Sequence, residues 1–211
     1  MNTEIFPNSK IYENGYCVVF ARGITPRELL ARVTGRDIPP IFLSRSESDA
    51  VKAFGEDLSD DDIPDLDIEV LHSSKITGTD GPLIRAGSCG NWSFAIESEG
   101  PYLADVDILK SISRDTVVLA ASETETAAAW ISYLENGETL SSFDPLFPDN
   151  DYGKSPEVLE RLTGHIEAIK NGDRTEAHVN AMRRIQESLD CAFPQNVDTG
   201  RLLAVRIAGG Y

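Results

Sequence analysis

Ala128-Ala129-Trp130-Ile131-Ser132-Tyr133-Leu134-Glu135-Asn136-Gly137-Glu138-Thr139-Leu140-Ser141-Ser142-Phe143 decides the fold of this chain. Two β-prone runs flank Asn136-Gly137, the strongest short-range signal for a hairpin with a two-residue turn. Upstream, Trp92, Phe94 and Ile96 alternate with Ser93, Ala95 and Glu97, the period of a half-buried strand. Residues 83–86 form a further strand, joined to it through Gly87-Ser88-Cys89-Gly90-Asn91. Asp105 or Asp107 caps a short helix carrying Ile108, Leu109 and Ile112, and residues 116–121 are β-branched. Residues 82–148 therefore read as a meander with one helix inserted. The fold class predicted is α+β: an antiparallel meander sheet with packed helices and a helical C-terminal subdomain.

Working outward, Tyr16-Cys17-Val18-Val19-Phe20 is a short aromatic and β-branched strand. Thr25, Pro26 and Glu28 form a capping-box start to a helix with Leu29, Leu30 and Val33 on its apolar face, stopped by Gly35. Residues 41–43 are extended, residues 44–54 hold a short helix, and residues 68–71 recover a strand. Beyond Pro148, Ser155-Pro156 opens a helix with Leu159, Leu162, Ile166 and Ile169 at three- and four-residue spacing, weakened or split at Gly164. Thr175 opens another, with His178, Met182, Ile185 and Leu189 on one face. The apolar segment 202–207 is a last helix or an edge strand. Residues 1–211 form one domain, sheet-containing to residue 150 and helical from 151.

A chain of 211 residues with 41% hydrophobic and 26% charged content buries a real core. Its net charge of −16 disfavours nonspecific nucleic-acid binding and favours basic partners. Cys17, Cys89 and Cys191 are odd in number and lack a CxxC pair, which fits buried free thiols in a reducing cytoplasm. The N-terminal residues lack a basic start and an apolar core, so no leader is expected, and no apolar run reaches the roughly 20 residues of a membrane span. Half the net charge comes from residues 45–69, with ten acidic residues against two basic.

Three blocks carry a family likeness. They are Tyr16-Cys17-Val18-Val19-Phe20-Ala21-Arg22-Gly23, then Arg85-Ala86-Gly87-Ser88-Cys89-Gly90-Asn91-Trp92-Ser93-Phe94-Ala95-Ile96-Glu97, and Asn136-Gly137-Glu138 through Ser142-Phe143-Asp144-Pro145-Leu146-Phe147-Pro148 to Gly153. In this order the chain resembles an actinobacterial family of unknown function, DUF6461. The resemblance implies no activity. The acidic insert around 57–67 departs from the pattern and is read as this member's own.

Candidate chemistry stays thin. Ser88 or Cys89 between glycines suggests a nucleophile turn, but no G-x-S-x-G elbow precedes a helix, and a hairpin loop is the better reading. Asp60-Asp61-Asp62-Ile63-Pro64-Asp65 lacks the glycine of a calcium loop, so a solvated acidic loop is expected. His165 and His178 are thirteen residues apart, not at zinc-ligand spacing. Trp92 and Trp130 read as core rather than as a binding floor. No catalytic set, metal site or cofactor is assigned. The expected function is a non-catalytic acidic interaction module, immunity-like inhibitor or regulator, with Asp57, Asp60, Asp61, Asp62, Asp65 and Asp67 facing a protein partner with a basic surface. The alternative is a small-molecule binder or enzyme with a site near Arg22, Arg85, Trp92 and Asp144, unless the two arginines pair structurally with Asp144 or Glu97.

Overall fold

The computed structural model describes residues 12, 14–37, 39, 41–126, 128–191, 194 and 196–207. The N-terminal stretch read for a leader lies outside them. Among the described residues eight strands make one sheet, and every neighbouring pair is antiparallel. In chain order they are β1 (Gly15–Arg22), β2 (Ile41–Leu43), β3 (Leu83–Cys89), β4 (Trp92–Ser98), β5 (Val117–Thr124), β6 (Ala129–Glu135), β7 (Glu138–Phe143) and β8 (Leu202–Arg206). Their order across the sheet is β2-β8-β3-β4-β1-β5-β6-β7. The expected α+β class holds, with two departures from a plain meander. β1 sits between the β3–β4 hairpin and the β5–β6–β7 meander. The segment at 202–206 is a strand, but an interior one, joining β2 to β3. The C-terminal part is therefore helical only as far as Leu189.

The α-helices of the described residues cover the two faces: α1 (Pro26–Thr34), α2 (Arg45–Phe54), α3 (Ile68–Ser73), α4 (Val106–Ile112), α5 (Glu157–Thr163), α6 (His165–Asn171) and α7 (Ala177–Leu189). Alternation along β1 sends Val18 and Phe20 to one face and Cys17, Val19 and Ala21 to the other. On the first face α5, α6 and α7 bury Leu159, Ile169, Met182 and Ile185 against Phe94, Leu119, Ile131 and Phe143. α1 and α4 close the second face with Leu29, Leu30, Leu109 and Ile112. Val51 of α2 and Leu71 of α3 build a third cluster with Leu43, Leu83 and Ala204 at the β2 end of the first face.

Local chemistry explains most boundaries. Thr25 Oγ1 accepts from the Glu28 N–H, while the Glu28 carboxylate turns to Arg32 instead of completing a capping box. Asn136 and Gly137 both take positive φ, 52° and 81°, and close the β6–β7 hairpin. Gly164, at φ 64°, splits the predicted long helix into α5 and α6, which leaves Leu162 49% exposed rather than in the apolar stripe. Residues 68–71, read as a strand, begin α3. Asp67 accepts the Val70 N–H as N-cap, and a four-residue apolar run alone does not separate helix from strand. The turn between β3 and β4 is two residues, Gly90-Asn91. Gly87 lies inside β3, where an added Cβ would press into the Phe94 ring.

Candidate functional site

The acidic segment leaves α2 through a 3-10 turn at Gly55–Asp57 and crosses to α3 in a series of turns. Leu58 is 4% exposed, Ile63 3% and Leu71 2%, so apolar residues between the carboxylates pin the backbone onto Leu43, Val51 and Leu83. Asp57, Asp60, Asp61, Asp62, Asp65 and Asp67 all remain exposed. Two of them act locally: Asp62 accepts from the Ser59 N–H and hydroxyl, and Asp67 caps α3. Among the described residues none of the six has an ion-pair partner. Arg201 fastens the segment from behind, donating to the Asp65 carbonyl at 3.4 Å and gripping Glu47 of α2. Burial raises the Glu47 carboxyl, but Arg201 and the Ser44 N–H outweigh it and hold the group below its ordinary value. The result is an anchored, outward-facing acidic surface. No group of three or more metal-ligating side chains occurs among the described residues.

Of the four residues expected around a ligand, the fold brings two together. Arg22 ends β1 opposite Trp92 on β4, and its guanidinium lies 5.9 Å from the Trp92 ring centre. Trp92 is buried and donates to the Leu189 carbonyl at 3.0 Å. Arg85 sits on the same face, opposite Ile96, four residues up β3 from Cys89, the residue that pairs with Trp92. Asp144 follows β7, three strands beyond β1, and accepts the Leu146 N–H. Neither arginine forms the expected pair with Asp144 or Glu97. Glu97 is buried on the opposite face and accepts the Leu103 N–H at 2.8 Å. Trp130, expected in the core, is 40% exposed on the face opposite Trp92, stacked on Tyr152 and donating to Ser142. The nucleophile-turn candidates lie within β3, where Ser88 is exposed and Cys89 buried with its thiol pushed up to about 12 by burial.

Sequence reasoning missed a polar seam under the first face. Arg85 is 5% exposed, reaching the Val197 carbonyl and the Tyr12 hydroxyl, each at 3.4 Å. Tyr12 donates to Asp198 at 2.9 Å, and Arg45 of α2 lies over its ring. Beside it, the Tyr16 hydroxyl meets His178 Nε2 at 2.6 Å, and burial lowers that imidazole to about 4. Tyr16 also faces a cleft of about 480 Å³ lined by Glu99, Ser122, Glu123 and Glu125. His165 is a second buried imidazole, stacked on Phe143 with ring centres 4.8 Å apart. The Thr163 hydroxyl spends its proton on the Leu159 carbonyl, so His165 Nδ1–H donates to Thr163 Oγ1, and the Nε2 lone pair has no partner among the described residues. The partnerships of the two tyrosines are not local: Tyr12–Asp198 spans 186 positions and Tyr16–His178 spans 162.

This chain belongs to a family of unknown function (DUF6461), whose match runs over residues 6–188 and so stops short of β8. No curated protein and no solved structure matches it.

Proposed function

We propose that the chain is a docking module that offers the acidic surface at 57–67 to a basic protein, acting as an inhibitor or regulator rather than through chemistry of its own. The observation that carries this reading is the combination of six exposed carboxylates, without an ion-pair partner among the described residues, with a backbone held in place by buried Leu58, Ile63 and Leu71. Uncompensated carboxylates on an ordered backbone steer a cationic partner over long range, and little is lost in ordering the loop when the partner arrives. Such an attraction is screened within about 10 Å at 0.1 M salt. Immobilised protein should capture a basic partner at low ionic strength and release it at high salt. The triple variant Asp60→Asn, Asp61→Asn, Asp62→Asn should capture much less. Equal capture by the variant, or a partner indifferent to salt, refutes the reading.

A small-molecule site around Arg22, Arg85, Trp92 and Asp144 draws support from the stacked Arg22–Trp92 pair alone. Arg22→Ala leaves protein docking intact and removes any ligand held against that indole, a difference that ligand-detected NMR reads directly.

A further inference from the structure

Behind α3 the chain turns back through residues 74–80 over the end of β8, leaving a cleft of about 570 Å³ between that turn and the segment at Arg36 and Asp37. Arg206, the last residue of β8, runs along its wall. Nε donates to the Ile76 carbonyl at 2.7 Å and Nη1 to the Gly81 carbonyl at 3.1 Å. Nη2 is buried and has no hydrogen-bond partner among the described residues. Two carbonyls thus fix the plane of the guanidinium without supplying a counter-charge, and no carboxylate of the described residues lies within ion-pair distance of it. Buried charged donors are normally satisfied, and one left without a partner beside a cleft needs an explanation.

We propose that this cleft binds a small ligand through an anionic group, a carboxylate or a phosphate monoester, whose oxygen accepts the Arg206 Nη2–H. Arg36 and Lys75 line the same cleft and add positive charge, and Ser73, Ser74 and Thr79 place hydroxyl groups along it. Asp37 also borders it, but both its oxygens are engaged by Arg27 at 2.8 Å. Glu56 and Asp80 remain on the lining, and they turn away ligands dense in negative charge, so one anionic group is favoured over a polyphosphate. Burial lowers the basicity of Arg206, the mark of a desolvated cation whose charge the fold leaves uncompensated. The site is separate from the docking surface at 57–67 and stands or falls without it.

Isothermal titration of the full chain with sodium acetate and with inorganic phosphate, against sodium chloride at matched ionic strength, tests the assignment. Saturable binding of acetate identifies a carboxylate site, and saturable binding of phosphate identifies a phosphate-ester site. Arg206→Met should weaken either by roughly tenfold or more, because a charge-assisted bond is lost. The rim variant Arg36→Gln, Lys75→Gln should weaken the same anion several-fold while the thermal midpoint of the ligand-free protein stays put. If Arg206→Met does not fold, the rim variant alone decides between the outcomes. Heats no different from those of chloride, or anion binding unchanged in the folded variants, overturn the proposal.

Discussion

Replacing His165 by Gln should remove a defined share of this protein's sensitivity to acid. His165 is 1% exposed, and burial lowers it from 6.5 to about 4, with Asp151 pulling weakly the other way. Glu160 Oε2 lies 3.2 Å from Nδ1, yet its pull does not offset the loss of water around a fully enclosed ring. The imidazole is neutral in the folded chain and charged in the unfolded one over the interval between these values. Stability is therefore intact above 6.5 and declines as pH falls toward 4, because the unfolded state binds the additional proton. A solution at about pH 5 lies about 1.5 pH units below the ordinary histidine value, and at about 1.4 kcal/mol per unit the penalty is about 2 kcal/mol. The net charge of −16 acts in the opposite sense, since its self-repulsion relaxes in acid. That contribution is common to wild type and variant, as is His178. Urea unfolding at about pH 7 and about pH 5 should show the gap between His165→Gln and wild type shrinking by about 2 kcal/mol in acid, even though loss of the Phe143 stack weakens the variant throughout. A gap that stays constant refutes the account.

Other expectations follow from single contacts. Gly153 runs so close along β7 that an added Cβ would strike the Leu140 carbonyl, and Tyr152, Lys154 and Ser155 all donate N–H groups to that strand. Gly153→Ala should cost about 2 kcal/mol in urea unfolding and promote association through the uncovered edge, visible by light scattering. Glu97→Ala leaves the Leu103 N–H without its acceptor and should cost about 1–3 kcal/mol by the same measurement. All three thiols are buried with raised pKa values, so a thiol reagent should label the native protein only as fast as it opens and the unfolded protein at once. Neutralising Asp60 and Asp61 together should leave unfolding free energy within about 0.5 kcal/mol of wild type, because their side chains contact solvent.

Much of the fold was legible because its signals are local. Asn136-Gly137 names its turn, Thr25-Pro26 names a helix start, and the alternation at residues 92–97 names a strand. Failures occur where local signals tie. Residues 68–71 are too short an apolar run to choose a period, and the Asp67 cap that settles them is one carboxylate in an acidic run. Segment 202–206 is apolar on both sides because it lies inside the sheet between two helix-covered faces, and such strands show no alternation. The exposure of the acidic surface was readable from charge density. Its anchoring was not read, although Leu58, Ile63 and Leu71 punctuate the carboxylates and could have suggested it. The seam that joins Arg85, Tyr12 and His178, and the setting of Arg206, were beyond reach, since those partners come from elements far apart in the chain, whereas His165 finds Thr163 only two residues away.

The position of β8 carries a consequence for how the molecule comes into being. Among the described residues β2 has no neighbour in the sheet other than β8, and Arg201, one residue before β8, holds Glu47 and Asp65. On an emerging nascent chain, β2, α2 and the acidic stretch are synthesised early, yet β2 has no strand to pair with among the described residues until β8 follows, far downstream. Closing so long a loop is a slow, late event. The charged face at 57–67 therefore acquires its backing last, and a chain cut before residue 201 lacks the Arg201 contacts that hold Glu47 and Asp65.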